Sequence, residues 1–465
     1  MIEKEDEADD IVEAFPKGRD VFTRRMAVRR LASIILLGTL AGLLTASECS
    51  AEWQAHEVRL LNGAQPDVRV AAQLEIVTES WNRVAAVPYI VHMPEKDRVL
   101  MLVGCDYPHH AEVLFSDDHG ATWSSPRRVL FDAEGKGIDG LGTSLTYLGT
   151  GKVLLLTGDR RWLSNDFGDK WAEWSVLGQT CDGRPWYTWD PLWVDKDSAS
   201  GVITRLVETG YTWLRAPEVE KDHQQGYIRF SDDMGKTWNP SIKVPQWKEV
   251  SEVALIRAAN GTLVAACRTD IPPSKAAEWI DHFEGLGIST SQDNGVTWST
   301  VEKLYDYGRH HPSLVLMPGG RLVMSYVVRK GYVDTPDGFP QFGIEAIVSS
   351  DNGRTWDLDH RYILYAWKGN RQGENKWWAS CQATSTILLP DESMLTAFGT
   401  GYRSQPDAGG GNPSPRDAGV ILWHLSETAL DDTTKVRAAP VDSDARNVFD
   451  PGQIPATPSR RGGFR

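Results

Sequence analysis

Two charged residues bracket one apolar stretch of this chain in a way that suits the chemistry of an acidic ligand. Glu252 lies at the start of the segment SEVALIRAANGTLVAACRT, and Arg268 lies at its end. An arginine guanidinium binds a carboxylate through two parallel hydrogen bonds, and a carboxylate can take part in proton transfer. The segment is typical of two β-strands joined by the turn AANG. We therefore predict that both side chains lie at the same edge of one hairpin.

Other carboxylates, arginines and histidines occupy comparable positions along the chain. In an antiparallel hairpin, the start of the first strand and the end of the second lie at the same edge of the sheet. A ring of such groups around one centre is typical of a ligand-binding site. The residues selected in this way are Asp106, Asp139, Asp159, Arg160, Arg161, Asp190, Glu208, Glu252, Arg268, Arg309, His310, His311 and Arg329.

Five copies of one short pattern indicate how these hairpins are arranged. The copies are SDDHGATW (116–123), SNDFGDKW (164–171), SDDMGKTW (231–238), SQDNGVTW (291–298) and SSDNGRTW (349–356). Their shared core is Ser-x-Asp-x-Gly-x-x-Trp, in which Asp accepts backbone hydrogen bonds, Gly adopts a positive φ and Trp anchors the turn. Repeats at such periods are typical of arrays and propellers.

The repeated pattern resembles the Asp-box of the sialidase-like superfamily, and the resemblance runs from about Val70 to Glu427. It implies an all-β fold, a six-bladed β-propeller of the sialidase type, with each box between the third and fourth strands of a blade. A sixth strand pair without a box is predicted at 384–389 and 393–399. We expect 420–425 to follow it as a third strand, and 57–61 to close the ring.

The resemblance also suggests roles for individual residues. Sialidases carry a Glu and an Arg at the positions of Glu252 and Arg268, where the Arg binds the substrate carboxylate. Asp106 resembles the acid/base Asp of that family, and Arg309 is a candidate second clamp. The segment RPWYTWDPLW offers an aromatic face for sugar stacking beside an acid. The predicted catalytic residues are Asp106 and Glu252, and the predicted substrate-binding residues are Arg268, Arg309, His310, His311, Asp190 and Trp189.

Two departures separate the chain from a standard sialidase. The Arg-Ile-Pro motif of the family is Ala86-Val87-Pro88 here, and Arg83 lies three residues earlier. The sixth inner strand has Gln382 and no Tyr where the family has its nucleophile. Two functions therefore stay open: a glycoside hydrolase acting on an acidic or uncommon glycan, and a non-catalytic carbohydrate-binding propeller. The substrate and linkage are not predicted.

Composition narrows the classes of partner. The formal net charge of −14 over 465 residues disfavours nucleic acid and anionic membrane. We expect a carbohydrate or glycoconjugate as partner, a monomeric state, no cofactor and no metal, because no metal-ligand spacing is recognisable. The four cysteines after residue 51 leave free thiols and disulfides both open.

The chain is expected to have three parts: 1–51, 52–438 and 439–465. The first resembles a secretory signal, because Arg29 and Arg30 precede the apolar run 31–44 and a small-residue cleavage pattern at 49–51. It predicts a periplasmic or extracellular protein, with a signal anchor as the alternative and Met26 as a candidate true start. The middle part is the propeller, and the last is rich in Pro, Gly and Arg and expected to be disordered.

Overall fold

The structure is a computed structural model that describes residues 53–197, 200–275, 283–330, 341–368, 381–403 and 414–426. The predicted signal segment, the C-terminal tail and Ser380 lie outside these residues. Apart from one short 3₁₀ turn, Pro273–Lys275, the regular elements within them are all β-strands. None of the described residues belongs to a helix with the length and hydropathy of a transmembrane span.

Twenty-five strands make up the described part of the chain. Most are short and alternate with turns, as the turn signals of the sequence predict. Their bounds are β1 Gln54–Asn62, β2 Gln65–Glu75, β3 Ala85–Met93, β4 Arg98–Cys105, β5 His110–Ser116, β6 Arg127–Arg128, β7 Gly142–Gly149, β8 Lys152–Thr157, β9 Arg160–Ser164, β10 Ala172–Val176, β11 Trp193–Lys196, β12 Ile203–Leu214, β13 His223–Ser231, β14 Ile242–Lys248, β15 Val250–Arg257, β16 Leu263–Thr269, β17 Gly285–Ser291, β18 Glu302–Tyr305, β19 Arg309–Leu316, β20 Leu322–Lys330, β21 Gln341–Ser349, β22 Tyr362–Lys368, β23 Thr384–Leu388, β24 Met394–Tyr402 and β25 Arg416–Trp423.

The strands form a propeller-like set of antiparallel sheets. Four sheets have four strands each, in the orders β3-β4-β5-β6, β10-β9-β8-β7, β11-β12-β13-β14 and β15-β16-β17-β18. The remaining strands form one nine-stranded sheet, β19-β20-β21-β22-β1-β2-β25-β24-β23. First strands of neighbouring sheets pack together: β3 contacts β7 and β23, and β19 contacts β15 and β23. These contacts bring the first and last sheets of the chain side by side.

The apolar core lies between neighbouring sheets. One cluster joins Leu100 and Leu102 of β4 to Leu145 of β7 and Leu155 of β8, all of them buried. A matching cluster joins Val207 of β12 to β15 and β16. Since each sheet has buried residues on both faces, it depends on its neighbours for stability. The four cysteines of the described chain are free thiols, and three of them, Cys105, Cys267 and Cys381, are buried.

The five repeated segments adopt the same turn, each after the third strand of a four-stranded unit. In each, the Ser hydroxyl donates to the Asp Oδ1 at 2.8–2.9 Å and accepts from the Gly N–H at 2.7–2.9 Å. The Gly and the residue before it both have positive φ. In four copies the Trp indole donates to the Gly carbonyl at 3.0–3.2 Å. These bonds explain why Ser, Asp, Gly and Trp recur together.

Closure between the chain ends differs from the sequence-based prediction. The segment 57–61, expected to complete the last blade, belongs to β1, which pairs with β2 and with β22. It is β2 that pairs with β25, through residue pairs such as Leu74 and Ile421. The chain turns back after β1, so that β1 lies between β22 and β2, and the last residues of β2, 73–75, run beside β25. The predicted third strand at 420–425 is present as β25.

Candidate functional site

Glu252 and Arg268 form a buried ion pair at one edge of the β15–β16 hairpin. The Arg268 Nη1 donates to Glu252 Oε1 at 2.7 Å, and His311 Nε2 lies 3.3 Å from Glu252 Oε2. Glu252 is only 4% exposed. Burial opposes its ionisation, but the charges of Arg268, His311 and Arg329 outweigh burial and hold the pKa of Glu252 below its ordinary value. Glu252 is therefore a carboxylate at neutral pH.

Asp190 is a second buried carboxyl beside Glu252, and its pKa is shifted in the opposite direction. The pKa of Asp190 is raised well above its usual range, first by burial and then by the negative charge of Glu252. The backbone N–H of Val253 donates to it and acts against this shift. The pKa values of two neighbouring carboxyl groups are thus shifted in opposite directions, an arrangement that acid–base sites use.

Trp189 and His311 border the same cluster. Their rings meet edge to face with centroids 6.2 Å apart, and Trp189 is half-buried. The Tyr89 hydroxyl donates to the Trp189 carbonyl oxygen at 2.8 Å, which holds the loop in place. Trp189 also hydrogen-bonds the Tyr211 hydroxyl through its side chain. A fixed indole beside ionisable groups offers an apolar face to a sugar ring.

Asp106 lies at the end of β4 in a separate charged group. Its carboxylate accepts from Arg83 Nη2 at 2.5 Å and from Arg83 Nε at 3.0 Å. The same guanidinium donates to Glu112 at 2.7 Å, and His110 Nε2 lies 2.8 Å from Glu112 Oε1. Asp106 has a φ of 52° and a side chain that is 39% exposed. It is the most accessible of the predicted catalytic groups.

Arg309 and His310 are buried away from this cluster. Arg309 is 1% exposed, its Nε donates to Glu345 Oε2 at 2.9 Å, and its guanidinium lies 4.5 Å from the Tyr305 ring centroid. Tyr326 donates to the same carboxylate at 3.2 Å. His310 is fully buried, and its ring lies 6.0 Å from that of His311. The backbone at His311 has a φ of 55°, at the point where the register between β19 and β20 shifts.

Other members of the polar set hold sheets together. Arg161 and Arg229 both donate to the buried Glu208, and each guanidinium also lies over a Trp ring. Asp139 pairs with Arg128 at 2.8 Å, and Asp159 lies exposed 3.6 Å from Arg160. These contacts are sufficient to account for the charges without a ligand.

Arg329 and Arg416 place two further cations at this edge of the molecule. Arg329 donates to the carbonyl oxygens of Cys381 and Gln382 at 2.7 and 2.8 Å, and its charge acts on both Glu252 and Arg416. Arg416 is 5% exposed and lies 4.3 Å from the Tyr402 ring centroid. It connects the Glu252 cluster to the neighbourhood of Asp106.

Arg416 has no carboxylate partner among the described residues. Its side-chain contacts are to the phenols of Tyr107 and Tyr402, whose hydroxyls also hydrogen-bond each other, and its buried Nε has no partner in this part of the chain. Burial lowers the pKa of Arg416, and the nearby charge of Arg329 lowers it further. A buried cation beside neutral phenols and a second cation is energetically costly, and an anion would relieve the cost.

The sequence-based selection did not include Arg416 and Tyr402. That selection considered only residues at the start of a first strand or at the end of a second strand. Arg416 lies at the start of a third strand. Tyr402 ends a second strand that was predicted to stop at residue 399. The third-strand start lies at the same edge as the second-strand end, so extending the rule to it would have selected Arg416.

No protein-family model matches this chain, and no similar curated protein is found. Among solved structures, a protein of unknown function from Dyadobacter fermentans is 17% identical and covers 80% of this chain and 99% of its own, with a TM-score of 0.52. The NanB sialidase of Streptococcus pneumoniae is 14% identical over 74% of this chain and 69% of its own, at a TM-score of 0.48. An α-L-arabinanase of Penicillium chrysogenum is 12% identical over 79% and 98%, at 0.45. At these identities the likeness is one of fold and assigns no activity.

Proposed function

We propose that this chain is a sialidase-like glycoside hydrolase whose central site takes an acidic sugar. The observation that carries the proposal is Arg416, a buried guanidinium that contacts the phenols of Tyr107 and Tyr402 but no carboxylate within the described residues. A sugar carboxylate would accept bidentate hydrogen bonds from such a group. Neutral sugars offer no charge to balance it.

The proposal includes a six-bladed architecture. The nine-stranded sheet divides naturally into β19-β20-β21-β22 and β23-β24-β25-β2, each with four strands like the other sheets. Only two residue pairs, Arg59 with Ile363 and Leu60 with Tyr362, join β1 to β22. We take β1 as a bridging strand between two blades, which would bring the blade number to six and the repeats to their Asp-box positions.

Arg416 would replace the arginine that the chain lacks at Ala86. Ala86 lies in an irregular part of β3, where the register shifts and Val87 has a φ of 50°. The backbone of Arg416 forms a bridge with Val84, two residues before Ala86. A guanidinium from a different strand can thus reach the region of the missing one. Arg329, whose charge acts on Arg416, would be a second cation for the sugar carboxylate, whereas Arg268 is already paired with Glu252 and Glu284.

Asp106 and Glu252 are the proposed acid/base and partner carboxylate. Two contacts support this assignment: the charge of Arg329 acts on both Glu252 and Arg416, and Tyr107, next to Asp106, hydrogen-bonds Arg416. Asp106 is exposed enough to reach a leaving group, whereas Glu252 is buried and ionised. Asp190 would stay neutral and supply a hydrogen bond, because burial keeps its pKa high.

A second function, carbohydrate binding without catalysis, has its own support. Arg83 holds Asp106 through three hydrogen bonds, and Arg268 holds Glu252. Ion pairs of this kind compete with proton transfer to a substrate. Among the described residues, no tyrosine hydroxyl hydrogen-bonds Glu252, so the Tyr nucleophile of sialidases has no evident counterpart there.

A screen with paired substrates distinguishes the two functions. Purified protein would be assayed against aryl glycosides of uronic acids and sialic acids and of the matching neutral sugars. We expect hydrolysis of an acidic member, loss of at least about 100-fold in kcat/KM in Asp106→Asn and Glu252→Gln, and little turnover of simple α-sialosides. Asp159→Asn, an exposed acid in the same polar set, is the control. Binding of an acidic sugar with no turnover of any glycoside would favour the binding function.

Export is a separate proposal that rests on the sequence of residues 1–51. We propose cleavage near Ala51, which would release a chain beginning near Glu52. N-terminal sequencing of the native protein from periplasmic and culture fractions tests this directly. Recovery of the intact N-terminus in the membrane fraction would favour the signal anchor.

A further inference from the structure

A cluster of two histidines and one aspartate lies at the opposite edge of the first sheet from Asp106. His92 Nε2 and His119 Nε2 lie 2.9 and 2.8 Å from the same oxygen, Asp97 Oδ1. One ligand atom from each residue lies within 4.8 Å of the other two. The rings of His92 and His119 meet edge to face at 5.9 Å. Imidazole nitrogens from β3 and from the first repeated turn therefore meet at one carboxylate oxygen of the β3–β4 turn.

The aspartate is presented by a turn that other contacts hold in place. On one side of Asp97, Lys96 lies 4.3 Å over the Phe167 ring. On the other side, Arg98 pairs with Asp117 at 2.5 Å. Glu95 of the same turn accepts hydrogen bonds from the Tyr147 hydroxyl and from the Thr150 N–H. A turn pinned at three residues offers its carboxylate in a fixed position, as a preorganised ligand site requires.

His119 comes from the first repeated turn, and it distinguishes that turn from the others. The corresponding residues in the other four copies are Phe, Met, Asn and Asn. The turn is fixed by the Gly120 N–H, which donates to Ser116 Oγ at 2.7 Å. The pKa of Asp391, in the β23–β24 turn, is lowered first by the hydrogen bond from Ser393 and also by the charge of nearby His119. The cluster thus lies where the first and last sheets of the chain meet.

We propose that His92, Asp97 and His119 bind one divalent transition-metal cation of the zinc class. Imidazole nitrogen and carboxylate oxygen are ligands that zinc takes at about 2.0–2.2 Å, and three protein ligands leave one position for water. A tetrahedral site needs neighbouring donor atoms about 3.3 Å apart, so the present separations require only a small outward movement. Each imidazole would offer its Nε2 lone pair and carry its proton on Nδ1. The cation would tie the β3–β4 turn to the first repeated turn.

Zinc titration of the metal-stripped full chain, prepared without a polyhistidine tag, tests this site. We expect one equivalent of Zn²⁺ by calorimetry, a rise in the thermal midpoint that EDTA reverses, and visible d–d bands of a low-symmetry site on substitution with Co²⁺. His92→Gln and His119→Gln should each weaken binding at least about tenfold. His360→Gln is the matched control, because His360 pairs with Asp357 at 2.7 Å without a second histidine.

Each possible result of the zinc titration either supports or overturns the proposed site. One equivalent of zinc, lost in the ligand variants and kept in His360→Gln, supports the site. Absence of saturable zinc binding, or binding that persists in both ligand variants, overturns it. Thermal midpoints measured in EDTA show that each variant folds, and Asp97→Asn replaces any variant that does not. Binding of Ca²⁺ in place of Zn²⁺ would also contradict the proposal, because calcium prefers sites built from oxygen ligands.

Discussion

Arg309 and Arg416 are nearly equally buried, yet among the described residues Arg309 pairs with an anion and Arg416 lies near a cation. Arg309 is 1% exposed and pairs with Glu345, whereas Arg416 is 5% exposed and, within the described part of the chain, contacts phenols and lies near the charge of Arg329 but has no carboxylate partner. Burial disfavours both cations, but the Glu345 charge outweighs it and raises the pKa of Arg309, while the pKa of Arg416 falls. A paired buried charge belongs to the structure, and an unpaired one indicates a place for a ligand.

The largest effect on the free energy of unfolding is expected when Arg309 loses its carboxylate partner, Glu345. Glu345→Gln leaves Arg309 and Arg361 buried without their shared partner. Removing one member of a buried ion pair costs about 3–5 kcal/mol, so the free energy of unfolding in urea should fall by about that amount. A loss below about 1 kcal/mol would show that the Arg309 region is not held by charge pairing, and the contrast with Arg416 would fail.

A smaller effect on the free energy of unfolding is expected at Glu75, which is a buried acid where Arg309 and Arg416 are buried cations. It is 3% exposed, both oxygens lack hydrogen-bond partners among the described residues, and burial, followed by the charge of Asp118, raises its pKa to about 7. Between pH 4.5 and 7 the folded state therefore binds a proton that the unfolded state does not, and stability falls as pH rises through this window.

Glu75→Gln should remove that dependence. We expect the variant to be more stable than the parent at pH 8 by about 1–3 kcal/mol and equally stable near pH 4. Urea unfolding across the pH range measures both values, with Glu57→Gln, an exposed glutamate of β1, as control. An unchanged pH slope in Glu75→Gln would mean that the carboxyl finds a partner in solution.

The smallest change in stability is expected at Arg416 itself. Arg416→Met replaces an unpaired cation by an apolar chain of similar length, and Tyr107 and Tyr402 keep their mutual hydrogen bond. Such replacements are often neutral or stabilising, so the free energy of unfolding should stay the same or rise by about 1 kcal/mol. A decrease of several kcal/mol in the free energy of unfolding would show that Arg416, like Arg309, stabilises the fold.

The sequence predicts the repeated architecture well, because each repeated turn specifies itself locally. Ser, Asp and Gly close the turn with their own hydrogen bonds, and the same bonds appear in all five copies. The hairpin rule likewise brings Glu252 and Arg268 together. Both features depend on residues close in sequence.

Contacts between residues that lie far apart in the sequence could not be predicted in this way. Strand position alone did not show that Arg309 would pair with Glu345, that β2 would take the place expected for 57–61, or that Arg416 would lie beside Val84. The His92–Asp97–His119 cluster was not predicted from the sequence either, because the spacing of these residues matches no known metal-binding motif. These features depend on which strands become neighbours in the folded sheet.

The central claim is that Arg416 and its neighbours bind the carboxylate of a sugar. Saturation-transfer NMR and calorimetry with free uronic and sialic acids, each beside its neutral parent sugar, test it on the parent chain and on Arg416→Met. We predict that the parent binds at least one acidic sugar and not its neutral partner, and that a stably folded Arg416→Met loses at least about tenfold in affinity. Equal affinity for the acidic and neutral partners, or unchanged affinity in Arg416→Met, would contradict the account.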